Sequence, residues 1–176
     1  MRINPVSRNY ADALLQAAVE KNKLDTVAEE LQEFRKLVDE SSELRLFFRT
    51  RKVSTAEKMN ALSDIFSEKL DEFVLNLIEA LLKNKREDLI GEVVEAFGQA
   101  VREYKNIAPV TAFTATEMSD DMRKTVTDSL KAQLGKDIEL TEKVDESLIG
   151  GIRLWINNTV YDGSISHQLE ELHKKL

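Results

Sequence analysis

Apolar residues recur three and four positions apart over residues 1 to about 106, which is the spacing of amphipathic helices. Helix-start signals accompany the pattern. Asn4 precedes Pro5, and Ser54-Thr55-Ala56-Glu57 matches the capping box, in which the serine and the glutamate satisfy each other's backbone donors. The predicted helices begin after Asn4-Pro5, at about Leu24 (ending near Glu40), around Leu44, Phe47 and Phe48, after Ser54, at about Leu70 (ending near Lys83) and at about Glu87 (ending near Lys105). Because short amphipathic helices cannot each bury an apolar stripe alone, we expect a six-helix bundle.

The hydrophobic period changes beyond residue 106. Residues 108–116 alternate and are rich in β-branched side chains, which predicts a strand. A helix is expected to start at Asp120-Asp121, where acidic side chains favour the positive end of the helix dipole, and to end at Gly135. Ile138, Leu140 and Val144 alternate again, and they predict a second strand.

Gly150-Gly151 opens a third predicted strand, in which Ile152, Leu154 and Ile156 alternate with other residues. Paired glycines permit a sharp turn or a close approach to another backbone. Asp162-Gly163 is expected to form a turn, and Ser164 is expected to cap a closing helix. In that helix the apolar residues at helical spacing are Ile165, Leu169, Leu172 and Leu176.

These patterns predict a mainly α chain with a small α+β part. The six-helix bundle is expected to occupy residues 1–106 as one domain. A second domain, residues 107–176, is expected to follow in the order strand, helix, strand, strand, helix.

Composition narrows the function classes. The chain has 176 residues, is 42% hydrophobic and 32% charged, and has a net charge of −7. This charge opposes nonspecific binding to nucleic acid or anionic lipid. The sequence has no apolar run of 18 residues, no secretory hydrophobic segment and no cysteine, and we therefore expect a cytoplasmic protein that does not span a membrane.

No catalytic, cofactor or metal site is predicted. The two histidines, His167 and His173, are six residues apart, unlike the four-residue spacing of paired helical metal ligands. Gly150-Gly151 lacks the Gly-Lys-Ser/Thr ending of a phosphate-binding loop, and a structural turn is the better interpretation. No Gly-x-Ser-x-Gly nucleophile motif is present.

Two patterns leave alternatives open. The cluster Arg45, Arg49, Arg51 and Lys52 is either a solvated helix end or a contact for an acidic partner. The stripe of Tyr10, Ala13 and Ala17 is either ordinary bundle packing or a surface that another helix can approach closely, because its side chains are small.

Three segments resemble the delta-subunit family of F-type ATP synthases, which includes the mitochondrial oligomycin-sensitivity-conferring protein. They are the V-D-x-S-L-I-G-G motif at residues 144–151, the V-x-D-G-S motif at residues 160–164, and Arg8-Asn9-Tyr10-Ala11-Asp12-Ala13-Leu14, which is similar to the family's amino-terminal R-x-Y-A-x-A-L/F helix. The likeness covers essentially the whole chain. Trp155 and Asn157-Asn158-Thr159 depart from the family pattern, and they weaken residue-level transfer of the b-subunit contact.

The resemblance implies a non-catalytic stator subunit, a monomer within the complex, that binds the alpha subunit of the catalytic head and the b subunits of the peripheral stalk. It implies a peripheral location at the cytoplasmic face of the bacterial inner membrane, with membrane contact only through the complex. The groove it implies for the amino-terminal helix of one alpha subunit is lined by Tyr10, Ala13, Leu14, Ala17, Asn76, Leu77 and Ala80. The b-subunit region and its structural motif comprise Leu148, Gly150, Gly151, Asp162, Gly163, Ser164, Leu169 and Leu172.

Two other functions remain as alternatives. A helical nucleic-acid-binding module is one, since the bundle of bacterial antitermination factors has a similar helical architecture; the acidic balance opposes it. A hydrolase using paired carboxylates is the other, and only the abundance of Asp and Glu favours it.

Overall fold

The computed structural model describes residues 3–50, 52–67, 69–156, 159–167 and 169. The chain divides into two units, Met1–Val101 and Arg102–Leu176. It is mostly helical, and its carboxy-terminal part contains a four-stranded mixed sheet. Arg51 and Leu172 lie outside the described residues.

The helical pattern corresponds to six described α-helices and one 3-10 turn. Their bounds are α1 Pro5–Glu20, α2 Leu24–Glu40, α3 Ser42–Arg49, α4 Thr55–Phe66, α5 Glu72–Lys83 and α6 Ile90–Tyr104, with the 3-10 turn at Glu87–Leu89 preceding α6. The two cap predictions are confirmed: Asn4 Oδ1 accepts a hydrogen bond from the Val6 N–H at 2.9 Å, and Ser54 and Glu57 form both hydrogen bonds of a capping box.

One hydrophobic cluster joins these helices. Its largest fully buried side chains include Phe34 and Phe97, from α2 and α6. Phe34 meets Phe48 and Phe66 edge-on, with ring centroids 5.9 and 5.7 Å apart, so that α2, α3 and α4 share one aromatic contact. Every one of the six helices contributes buried residues to this cluster, but the predicted apolar stripes are not wholly buried: Ala13, Leu37 and Ile65 are exposed.

The second unit contains β1 Ile107–Thr114, α7 Asp120–Leu134, β2 Asp137–Val144, β3 Gly151–Ile156 and β4 Thr159–Ser164. The sheet order is β2-β1-β3-β4; β1 is parallel to β2 and antiparallel to β3, and β3 is antiparallel to β4. Helix α7 covers one face of the sheet, where its Val126 and Leu130 pack against Val110 of β1 and Ile156 of β3. Gly135 ends α7 in the left-handed conformation, with φ +64°.

The prediction that Asp162-Gly163 forms a turn is wrong. Both residues lie inside β4, where Asp162 is opposite Arg153 and Gly163 is opposite Ile152. Asp-Gly is common in turns, but here the side chain of Asp162 bonds across to the neighbouring strand, and the missing Cβ of Gly163 allows close strand packing. The sheet therefore has one strand more than predicted. Ile165–His167 and Leu169 are helical, as the closing helix requires of these positions.

Candidate interaction sites

The predicted alpha-subunit residues lie on two neighbouring antiparallel helices. At one end, the Arg86 guanidinium donates to the hydroxyl of Tyr10 at 3.3 Å and lies 5.9 Å from its ring centroid. At the other end, Lys23 Nζ, just after α1, lies 2.7 Å from Asp71 Oδ2, just before α5. These two contacts place the start of α1 beside the end of α5 and the end of α1 beside the start of α5.

The seven predicted residues differ in their exposure. Leu14 and Leu77 are buried in the core, at 6% and 8% exposure. Tyr10, Ala17 and Ala80 are half-buried, whereas Ala13 and Asn76 are exposed. The two leucines can therefore contribute only the base of a binding surface, and the accessible part consists mainly of small side chains.

Polar contacts fix the start of α5, and sequence reasoning missed them. Asp71 caps α5 by accepting from the Phe73 N–H at 3.1 Å. Burial opposes ionisation of Asp71, but its hydrogen bonds from Lys23 and Phe73 outweigh burial and lower its pKa. Half-buried Phe73 packs against the core, seven residues before Ala80 and hence on nearly the same face of α5. This face is the one that carries Leu77.

A second polar contact places α1 against α6. Ser7 is fully buried, and its hydroxyl donates to Glu92 Oε2 at 2.9 Å. No sequence pattern predicts this contact, because its partners are 85 residues apart.

In each carboxy-terminal motif an aspartate accepts hydrogen bonds from the serine two residues later, and one arginine lies between the two aspartates. Asp145 Oδ1 accepts from the N–H and the hydroxyl of Ser147, at 3.1 and 2.6 Å. Asp162 Oδ1 accepts from the Ser164 N–H at 2.9 Å. Between them, Arg153 Nε donates to Asp162 Oδ2 at 2.8 Å, and its Nη1 lies 3.7 Å from Asp145 Oδ2.

These contacts favour the charged form of both carboxyl groups. Hydrogen bonds from Ser164, together with the bond and the charge of Arg153, lower the pKa of Asp162 to about 2. The hydrogen bonds from Ser147 and the Arg153 charge lower the pKa of Asp145. Arg153 thus links the loop before β3 to the end of β4 by contacting one ionised aspartate in each.

The motif glycines have different surroundings. Gly151 has φ +83°, and a Cβ there would lie 2.5 Å from the Gly163 carbonyl oxygen and 2.9 Å from Ser164 Cα. A Cβ on Gly150 would meet only the side chain of Ile165, with Cδ1 at 2.9 Å. Gly151 is therefore required by both backbone conformation and packing, whereas the neighbour of Gly150 is a movable side chain.

The end of β4 leads directly into the last helix. Ser164 is fully buried, and its hydroxyl accepts from the His167 N–H at 3.3 Å, which confirms the predicted cap. The Ile165 N–H donates to the Gly150 carbonyl at 3.0 Å, joining the helix start to the glycine pair. Leu148 is buried, whereas Leu169 is 55% exposed.

The basic cluster is held partly by backbone and partly by acidic side chains. Arg45 Nη1 donates to the Asp39 carbonyl at 2.9 Å, near the end of α2, as the helix-end interpretation expects. Arg49 Nε lies 3.4 Å from Asp88 Oδ1, and Lys52 is exposed.

The described residues offer neither a metal-binding cluster nor a membrane-spanning helix. They include no group of three or more histidine, cysteine or acidic side chains placed to hold a metal ion. Within the same ranges, no helix is both long and apolar enough to cross a membrane.

Comparison with known proteins gives one consistent family. The family model described as ATP synthase delta (OSCP) subunit matches residues 6–176. ATP synthase subunit delta of Chlorobaculum tepidum is 37% identical over 170 residues, covering 97% of this chain and 94% of that protein. The corresponding subunit of Oceanobacillus iheyensis is 30% identical over 172 residues, with 97% and 94% coverage.

Solved structures agree with these relatives. A chain of the Toxoplasma gondii mitochondrial ATP synthase hexamer superimposes with a TM-score of 0.70 at 27% identity, covering 98% of this chain and 97% of that one. A chain of the Polytomella F-ATP synthase head and rotor gives a TM-score of 0.54 at 26% identity, covering 60% of this chain and 93% of that one. The chain belongs to the ATP synthase delta (OSCP) subunit family.

Proposed function

We propose that this chain is the stator subunit of the peripheral stalk in a proton-translocating F-type ATP synthase, where it joins the catalytic head to the b subunits and resists rotation. The observation that carries the proposal is the length of the family match, residues 6–176, which includes both structural units. The match therefore extends over both units of the chain. The head must be held while the central stalk turns, and such holding requires two binding surfaces and no chemistry.

The α1–α5 pair is the proposed site for the amino-terminal helix of an alpha subunit. An amphipathic helix binds a groove through apolar anchors one turn apart. The half-buried Tyr10, Ala17 and Ala80 supply an apolar surface over the buried leucines, and the exposed Ala13 leaves room for a partner backbone. The contacts at both ends of the pair hold its two helices in place before the partner binds. Preformed geometry favours affinity, because less ordering is needed on binding.

The carboxy-terminal motif is the proposed site for the b subunits, with a division between supporting and contacting residues. Gly150, Gly151, Asp162, Gly163 and Ser164 set the geometry that the described hydrogen bonds and close approaches define. Leu169, which is 55% exposed, supplies contact surface, whereas the buried Leu148 belongs to the supporting residues. Leu172 lies outside the described residues, and helical spacing assigns it the same role as Leu169.

The remaining parts of the proposal concern the molecule as a whole. Residues 1–106, arranged as a six-helix bundle, form the head-binding domain, and residues 107–176 form the stalk-binding domain. The subunit is non-catalytic and monomeric within the complex. It lies at the cytoplasmic face of the bacterial inner membrane and contacts the membrane only through the complex.

Reconstitution tests the proposal. Membranes depleted of this subunit should regain proton-driven ATP synthesis when the full-length chain and isolated catalytic heads are added. A chain truncated before Ser164 should still bind the heads but should not restore synthesis. Full restoration by the truncated chain would refute the stalk-binding role, and no restoration by the full-length chain would refute the stator function.

A substitution tests the alpha-subunit site separately. Ala13→Trp fills the exposed part of the α1–α5 surface, and binding of a synthetic alpha-subunit amino-terminal peptide should weaken at least tenfold, or about 1.4 kcal/mol. Gln32→Trp, at an exposed position of α2, is the matched control and should bind normally. Normal peptide binding by a folded Ala13→Trp chain would place the site elsewhere.

The nucleic-acid alternative has no observation in its favour. The relatives found are ATP synthase subunits, and a net charge of −7 opposes the phosphate backbone. A salt-dependent gel shift with RNA would be needed to revive it.

A further inference from the structure

A cleft runs beside α3, near the connection between α5 and α6. It consists of two cavities, of about 200 and about 670 Å³, whose linings share Arg49, Glu87 and Asp88. The Arg49–Asp88 ion pair therefore stands where the two cavities meet. Both of its side chains are about three-quarters exposed, so the pair can open at little cost. We refer to the two cavities together as the α3 cleft.

The α3 cleft is basic although the chain is acidic. Its lining contains five basic side chains, Arg35, Arg45, Arg49, Lys58 and Lys85, and three acidic ones, Asp39, Glu87 and Asp88. The lining thus has a net charge of +2 in a chain of net charge −7. A local potential of opposite sign to the whole surface favours one kind of ligand at that place.

The three arginines of the cleft have hydrogen-bond donors to spare. Arg35 Nε binds Asp39 Oδ2 at 2.6 Å, Arg45 Nη1 binds the Asp39 carbonyl at 2.9 Å, and Arg49 Nε pairs with Asp88. A guanidinium has five N–H donors in a planar fork that matches a carboxylate. Their other donors have no hydrogen-bond acceptor within the described ranges, and they are available to a ligand.

The arrangement is held by its surroundings. Gly91 of α6 lies directly under Arg35, since a Cβ at that position would overlap the guanidinium. Lys58 is buried in the wall; its ammonium donates to the Phe48 carbonyl and lies 3.6 Å from Glu87 Oε1. Lys58 and Glu87 neutralise each other, and so do the pairs Arg35–Asp39 and Arg49–Asp88. Arg45 and Lys85 then remain without an acidic partner in the cleft lining, although the Arg45 charge also helps to lower the pKa of the nearby, exposed Glu43.

We propose that the α3 cleft binds an acidic peptide segment of another ATP synthase subunit, with its carboxylates held by Arg45, Arg49 and Lys85. This contact is additional to the proposed alpha-subunit and b-subunit sites, because none of its residues belongs to either. Nucleic acid is a poorer fit, since the whole surface would repel it. Charge attraction would also accelerate docking at low salt.

Binding of a defined probe tests the charge recognition. A fluorescent hexaglutamate peptide should bind the full-length chain at low ionic strength, and hexaglutamine should not. The double variant Arg45→Glu/Lys85→Glu should weaken hexaglutamate binding at least tenfold. The control Lys21→Glu/Lys69→Glu makes the same change in net charge at exposed positions outside the cleft lining, and it should bind within about twofold of the unchanged chain. Equal weakening in both variants, or no binding to the unchanged chain, would overturn the proposal.

Cross-linking then tests the occupant in the assembled complex. The chain has no cysteine, so a single introduced one carries a photoreactive label at a known place. Label at Thr50→Cys, in the cleft, should join a partner segment rich in Asp and Glu, whereas label at Asn60→Cys, exposed on α4, should not join that segment. No adduct from position 50, or an adduct on a segment without excess acidic residues, would overturn the proposal. A chain that does not assemble at all would instead refute the stator function, and the hexaglutamate result would still decide on the cleft.

Discussion

Replacing Gly135, Gly150 and Gly151 one at a time by alanine separates backbone strain from steric clash. Gly151→Ala places a Cβ at φ +83° and within 2.5 Å of the Gly163 carbonyl oxygen. Gly135→Ala places a Cβ at φ +64° with no atom of the described residues within 4 Å, so this variant experiences the strain alone. Gly150→Ala contacts only the tip of Ile165.

The expected costs follow from these surroundings. Left-handed backbone costs a non-glycine residue about 1–2 kcal/mol, and this is the whole expected effect at Gly135. Alanine at position 151 has the same strain, and its Cβ must also push apart two backbone segments. The free energy of unfolding of Gly151→Ala should therefore fall by at least about 2 kcal/mol. Gly150→Ala should cost less than about 1 kcal/mol, because Ile165 can change rotamer.

Urea unfolding, followed by the fluorescence of Trp155 in β3, provides the measurement. Trp155 is the only tryptophan and lies in the unit that contains all three glycines, so its signal follows that unit. The order of destabilisation should be Gly151, then Gly135, then Gly150. Equal costs at Gly151 and Gly135 would refute the close approach between β3 and β4. A larger cost at Gly150 than at Gly151 would refute the assignment of the strained position.

Three further outcomes are expected. The pKa of about 2 at Asp162 lies below the unfolded value of about 3.9, so the stabilisation from the ionised carboxylate is present above about pH 4 and is lost as pH falls toward 2. Asp162→Asn should lower the free energy of unfolding by about 1–2 kcal/mol above pH 4, a value reduced for solvent screening because the side chain is 23% exposed. In urea titrations this difference should shrink toward pH 2, and a constant difference would contradict the ionised role. Ser54→Ala removes one half of the capping box and should cost about 1 kcal/mol, measured by circular dichroism during unfolding, with Ser63→Ala on the exposed face of α4 as control. Limited proteolysis should leave a stable fragment of residues 1 to about 105, and cleavage through α1–α5 while the remainder survives would contradict an autonomous helical domain.

The helices were predictable because two independent signals coincide in the sequence. Apolar spacing fixed the buried faces, and caps such as Asn4, Ser54 and Gly135 fixed the ends. The strand β4 was not predictable in the same way, because a six-residue strand that contains Asp-Gly has the composition of a turn. It is a strand because it pairs along its whole length with β3, and the Arg153–Asp162 hydrogen bond across the two strands joins residues nine apart.

The candidate sites were predictable only as far as periodicity extends. Spacing places Ala13 and Ala17 near one another on α1, but their exposure depends on how the helix is rotated in the core. The buried Lys58 was overlooked, although it stands four and eight residues before the buried Leu62 and Phe66 and therefore at a core position of α4. A lysine at such a position requires a fixed acceptor, which the Phe48 carbonyl provides.

The proposed stalk contact separates two kinds of residue in the carboxy-terminal motifs: those that hold the local geometry and those that would contact the stalk. Holding torque is transmitted only if the surface that binds the stalk keeps its position under load. Arg153 joins the turn at Asp145 to Asp162 of β4, and the Gly150 carbonyl accepts from Ile165 at the start of the last helix. Both contacts stabilise the segments that lead into the helix that carries Leu169. Loss of Gly151 or Asp162 should therefore weaken stalk binding through stability, whereas loss of exposed Leu169 should weaken binding and leave the unfolding free energy nearly unchanged. In the proposed stalk contact, the motif residues would therefore fix the geometry, and exposed apolar residues such as Leu169 would determine the affinity.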